Sequence, residues 1–223
     1  HYINNLTMKK SLFLTLLLLT STIGLNAQIT EGHVKYKVEV SSDEPDMALA
    51  VSMMSDATLD IYFQKDKSRT EMDMGVMNTT VIVNAAAENS IMLMDMMGSK
   101  FAVLMEKEEL DQENDSPKPV IQLINETKTI LGYKCKKAVI TISEGIEAVY
   151  WYTEELKVNT FGQKSFNESV PGFPLEFSQF QGGLDMKLTA TVIEKTVDSK
   201  KFDITVPEGY TLKTMEELGG MGQ

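Results

Sequence analysis

Residues 91–101, IMLMDMMGSKF, place Met92, Met94, Met96 and Met97 within six positions. The methionine thioether is soft, the ligand character that selects Cu(I). It is also unbranched and polarizable, which suits an apolar wall that adapts to varied shapes. On a strand Met92, Met94 and Met96 share one face, spaced by about 6.6–6.8 Å at i, i+2. Met72 and Met74 fall two strands earlier, with Thr80 and Ile82 or Val81 and Val83 between. An aligned register makes all of them one apolar patch. A thioether site needs three or more sulfurs drawn to one point, and no histidine supports one, because His33 falls on the polar side of its strand. The expectation is a cavity wall, with no metal and no cofactor.

Other chemistry is scarce. The chain has no G-x-S-x-G elbow, no H-E-x-x-H and no phosphate loop, and His1 and His33 are its only histidines. No carboxylate pair has a spacing that demands acid–base work. No catalytic residue is assigned, and the expectation is a protein that is not an enzyme. Arg69, Glu71 and Asp73 face away from Met72 and Met74 and read as cross-strand charge pairs. Lys134, Lys136 and Lys137 read as a solvated strand face. Trp151, between Tyr150 and Tyr152, is either a core aromatic or a ligand clamp. Cys135 is the only cysteine, so no intramolecular disulfide forms, and it receives no role.

The elements that must position these residues are strands. In 33–40, HVKYKVEV, Val34, Tyr36, Val38 and Val40 alternate with charged residues, the mark of a strand with one dry face. The same alternation puts Leu59, Ile61 and Phe63 on the dry side of 58–64. Further strands are expected at 68–74, 78–84, from Asn89, at 100–106, 120–130, 133–142, 147–153, 173–177 and 185–194. Their short spacing predicts an antiparallel meander. Between the first two, Met47, Ala50, Val51 and Met54 form a helical stripe after Pro45, and this helix is expected to cover the sheet's dry face. QENDSPKP (112–119) reads as a loop and about 215–223 as a frayed tail.

Ahead of these strands, Met8-Lys9-Lys10, the apolar run 11–25 and Ala27 form a signal peptide, so 1–27 are expected to be removed and 28–223 to form one domain. No cysteine sits at the cut to accept a lipid. Export to the periplasm or cell exterior as a soluble protein is expected, without stable membrane insertion. The formal charge is −11, and losing Lys9 and Lys10 with the leader makes it −13. That charge repels phosphate backbones and excludes nucleic acid as a partner.

TEGHVKYKVEV, DIYFQKDKSRTEM, LMDMMGSKFAV, ETKTILGYKCKKAVI, VYWYTEEL, PGFPLEF and FDITVPEGY resemble, in order, the domain of unknown function 4412 family. These are exported proteins of Bacteroidota, similar to the LolA-like lipoprotein carriers. The resemblance implies a mainly β fold, a curved antiparallel half-barrel with a helical lid and an apolar concavity.

The expected function is therefore non-catalytic binding of an apolar small molecule, lipid or lipoprotein acyl chain. Met47, Val51, Met54, Leu59, Ile61, Phe63, Met72, Met74, Met92, Met94, Met96 and Trp151 would line the site. The alternatives are a ligand-free envelope interaction protein and a methionine-based copper module.

Overall fold

The computed structural model describes residues 29–106, 120–143, 146–157 and 170–219. The expected signal peptide (1–27), the 112–119 loop and the last four residues of the tail lie outside them. As expected, the fold is mainly β: one open, curved sheet of twelve strands. The strands are β1 (Glu31–Ser41), β2 (Thr58–Gln64), β3 (Lys67–Asp73), β4 (Met77–Asn84), β5 (Asn89–Met96) and β6 (Ser99–Glu106). They continue as β7 (Val120–Ile130), β8 (Tyr133–Ser143), β9 (Ile146–Thr153), β10 (Phe173–Gln181), β11 (Leu184–Glu194) and β12 (Thr211–Leu212). The helices among the described residues are α1 (Ala48–Met53), entered through a 3-10 turn at Pro45–Met47, and α2 (Met215–Gly219).

The spatial order is β12-β6-β5-β4-β3-β2-β1-β11-β10-β9-β8-β7. Two antiparallel meanders, β2–β6 and β7–β11, are thus joined along β1, which pairs with β2 on one side and β11 on the other. Tight turns set the registers. Met97-Gly98, Leu131-Gly132 and Gly182-Gly183 have positive φ at both residues, the backbone of two-residue hairpin turns whose twist matches that of the strands.

Alternation decides which face is buried. Val34, Tyr36 and Val38 of β1 are buried, as are Leu59 and Phe63 of β2. They join Cys135, Ala138, Ile140, Tyr150, Tyr152, Leu175, Phe177, Met186 and Leu188 in the main core. This face is concave. Phe63 on β2 and Phe173 on β10 are three strand spacings apart, roughly 14 Å along a flat sheet, yet their ring centroids lie 6.1 Å apart. The Tyr36 hydroxyl donates to the Pro174 carbonyl at 2.6 Å, reaching over β11. Beyond β1, the Ile29 N–H donates to the Glu155 carbonyl at 3.0 Å, tying the start of the described chain to the end of β9.

The convex face of β4–β6 carries a smaller core, in which Ile82, Ile91, Leu93 and Ala102 receive Phe202. Phe202 sits on a strap that leaves β11, makes a 3-10 turn at Ser199–Phe202 and ends beside β6, where β12 pairs in parallel. The strap finishes in α2, entered by a capping box. The Glu217 N–H donates to Thr214 Oγ1 at 3.2 Å, and the Thr214 N–H donates to Glu217 Oε2 at 2.8 Å. The stretch expected to fray therefore begins as a capped helix.

Among the described residues no helix covers the sheet as the expected lid. α1 has six residues and none is buried. Met54, its C-cap, does pack on the main core. The stripe has the right spacing, but a helix of under two turns has too little apolar face to cover a sheet.

Candidate functional site

The registers bring the methionines together. Met72 on β3 pairs with Thr79, and Thr79 with Met94 on β5. One row nearer the sheet end, Met77 pairs with Met96, and the Met74 N–H donates to the Met77 carbonyl at 3.0 Å across the β3–β4 turn. One row the other way from Thr79, Val81 pairs with Met92. These residues lie on the concave side, where Met72, Met74 and Ile61 pack against the edge of the main core. Met92 and Met94 are half-buried and Met96 is exposed. The sequence supplied this patch as a condition on register, and the hydrogen-bond ladder meets the condition. It also chooses Thr79 and Val81, rather than Thr80 and Ile82, as the residues between.

The other expected site residues divide. Leu59 and Phe63 belong to the packed core and are almost inaccessible. Met47, the N-cap of α1, and Val51 within it are half-buried. Trp151 is not with the methionines. Its neighbours on the ladder are Lys137 and Glu176, and the Lys128 ammonium stands 4.4 Å from its ring. Strand alternation accounts for this, because Tyr150 and Tyr152 are buried in the concave core and the residue between them sits on the other face, where half-buried Trp151 still packs against the main core cluster. Cys135 is fully buried, and burial pushes its thiol up to about 11, which keeps it protonated and unreactive.

Beside the methionine rows is a rim of side chains that sequence reasoning missed. Met97 is 89% exposed at the tip of the β5–β6 turn, and its N–H donates to the Val76 carbonyl at 3.2 Å. Val76 is exposed on the β3–β4 turn, and the Met53 carbonyl lies 3.0 Å from where a Cβ on the adjacent Gly75 would be. Leu49, one helical turn before Met53, is 72% exposed. Backbone contacts thus bring three segments together at one edge, and they carry four exposed large apolar residues there. Single exposed apolar residues are ordinary, but contiguous ones mark interaction surfaces. The available signal was the turn itself. Met97 has φ 54° at a position where Asn, Asp or Gly is the usual choice.

Under the strap, on the convex face, lies a polar cluster. His33 stacks on Tyr62 at 4.2 Å and contacts Asp60 at 2.6 Å through Nε2. Lys201 stands 4.3 Å from the Tyr62 ring and 3.3 Å from Glu71 Oε1, while Arg69 donates to the Lys201 carbonyl at 3.2 Å. Burial alone would raise the Glu71 carboxyl, but the hydrogen bond and charge of Arg69, with Lys201, hold it below its ordinary value. Burial, with Glu71 and Asp60 nearby, pushes the Tyr62 phenol up to about 12. Each of these groups is occupied by the others, which suits an anchor for the strap.

Fold and site define a β-sheet domain with a packed concave core on one half and an open methionine-lined half ending in an apolar rim. Residues 36–214 match the family described as N-glycanase peptide, N-terminal domain, and the chain belongs to that family. This match corrects the resemblance to the domain of unknown function 4412 family and to LolA-like lipid carriers, which short strand motifs suggested. Alternating strands with glycine turns recur across unrelated curved sheets, so such motifs report architecture before ancestry. A solved structure described as PNGF-II in the P21 space group is similar over 86% of this chain, at 15% identity and TM-score 0.50. The C2 form of PNGF-II gives 15% identity over 86% of the chain and TM-score 0.47. At that identity the likeness concerns the fold. The chain spans about a third of PNGF-II, 33% and 32% in the two forms. No curated protein matches the chain.

Proposed function

We propose that this chain is a non-catalytic docking domain that serves a glycan-acting catalytic domain, in the same polypeptide or another chain. The rim Leu49, Met53, Val76 and Met97 meets an apolar surface on that partner. The observation that carries this is Met97, which holds a left-handed backbone at the tip of a turn with its side chain in water. A locally unfavourable residue in an exposed position fits a surface kept for contact. Methionine is also enriched in protein interfaces, where its flexible chain fits varied partners. Family membership supports a glycan-acting partner, since the family is described as N-glycanase peptide, N-terminal domain. The acidic chain, at −11, disfavours an anionic lipid surface as the occupant. Export, expected from the leader, would place the pair outside the cytoplasm, where glycoproteins are met.

The test is site-specific photo-crosslinking in the native host, with the reactive group at Met97 or Leu49 and, as control, at Lys37 on the convex face. A glycan-processing enzyme captured from the rim positions and absent from the control supports the proposal. Capture of lipid alone, of the same proteins from all three positions, or of neither a second protein nor an intramolecular crosslink to a catalytic domain overturns it.

A further inference from the structure

We infer that the concave row Met74, Met77 and Met96, backed by Met72 and Met94, is a thioether site for a soft monovalent cation of the Cu(I) or Ag(I) class. No residue is shared with the docking rim, so the two proposals stand or fall separately.

Three adjacent strand positions supply the row. Met77 and Met96 are directly paired across β4 and β5, which puts their β-carbons about 4.5–5.5 Å apart. Met74 is bound across the β3–β4 turn by the 3.0 Å bond from its N–H to the Met77 carbonyl, so it flanks Met77 on the other side. Strand alternation puts Met72 and Met94 on the same face one row away, with Thr79 paired to both. Each side chain has three flexible bonds, and neighbouring strands are about 4.8 Å apart. A cation above Met77 is therefore within reach of thioethers from both sides and from the row behind.

The ligand class follows from what surrounds the row. The two aspartates at its ends are committed to their own turns: Asp73 accepts from the Gly75 N–H at 2.8 Å and Asp95 from the Gly98 N–H at 2.8 Å. Among the described residues, no group of three or more His, Cys, Asp or Glu could hold a metal ion. A donor set of thioethers alone is matched to soft cations and mismatched to Zn(II), Ca(II) and Mg(II), which take nitrogen, thiolate or oxygen. Access is open, because Met96 is exposed and Met74, Met77 and Met94 are half-buried at the sheet end. Binding exchanges one set of ligands for another and requires no electron transfer.

The experiment uses the full chain with methyl-labelled methionine and follows the methionine methyl signals by NMR during titration with Ag(I), repeated anaerobically with Cu(I) against a chromophoric chelator. Signals are assigned by single Met→Leu variants. The expected result is a saturable shift of the Met74, Met77 and Met96 methyls, lost in Met77→Leu and kept in Met47→Leu, with no shift on adding Zn(II). A circular-dichroism spectrum confirms that Met77→Leu is folded. Methyls that stay still under excess Ag(I) overturn the proposal. So does a drift in which Met53 and Met97 move together with the row and never saturate, because that reports adventitious surface binding. Equal shifts with Zn(II) would overturn the soft-cation assignment.

Discussion

Phe63 and Phe173 touch, with ring centroids 6.1 Å apart and planes tilted by 36°, although β1 and β11 separate their strands. The contact ties the two meanders across the concavity, and both rings are buried. Phe63→Ala and Phe173→Ala should each cost about 3–5 kcal/mol. Because the rings share one contact, the double variant should cost less than the two together, by roughly 0.5–1.5 kcal/mol. Urea midpoints of the four proteins measure this. Strict additivity would mean that the sheet curls without help from the pair.

Gly32 lies where β1 runs between its neighbours. Its φ is 155°, and a Cβ there would stand 2.3 Å from the Glu194 carbonyl oxygen and 3.3 Å from the Phe63 ring. The obstruction is backbone, which yields less readily than a side chain. Gly32→Ala should therefore destabilise the fold by about 1–3 kcal/mol. A thermal midpoint equal to that of the parent protein would show that β1 and β11 shift apart freely.

The strands were legible because most have one dry face. Expected and observed spans coincide for 58–64 and 120–130. The pairing of β1 with β11 was not legible, since nothing local to Val34 points to Ile193, its partner some 160 residues on. The strap was missed for a different reason. Phe202, Ile204 and Tyr210 follow neither a strand nor a helix period, so their burial on Ile82 and Ile91 becomes visible only once the convex face exists. Trp151 was within reach of sequence reasoning. Strand alternation between Tyr150 and Tyr152 already sends it to the other face, and its aromatic character alone placed it in the expected cavity.

Acid should loosen the strap through Glu71. Its burial opposes ionisation, but the bond and charge of Arg69 and the nearby Lys201 outweigh this and lower its folded-state value. A carboxyl depressed on folding stabilises the protein above its unfolded value, near 4.5. That contribution disappears as pH falls through the lower, folded value. Glu71→Gln should be less stable than the parent at pH 7, and the gap should shrink as acid takes the solution from above 4.5 to below Glu71's lowered folded-state value. Urea midpoints measured across that range read the difference. A gap of constant size throughout would remove the carboxylate from the strap's attachment.

Met97 separates fold from function in one substitution. It holds φ 54° with Gly98 at 92°, a turn in which Asn before Gly is the favoured pair. Its side chain is 89% exposed, so replacing it removes no core packing. Met97→Asn should therefore keep or slightly raise the thermal midpoint, by an amount on the order of a few tenths of a kcal/mol. Docking of the rim should weaken, because the most exposed apolar side chain is lost. The paired measurement is the thermal midpoint of Met97→Asn and its capture of the glycan-processing partner by a crosslinker at Leu49. A raised midpoint with reduced capture places methionine at this turn for contact rather than folding. Undiminished capture would remove Met97 from the interface, and a lowered midpoint would show that the side chain packs against its own fold.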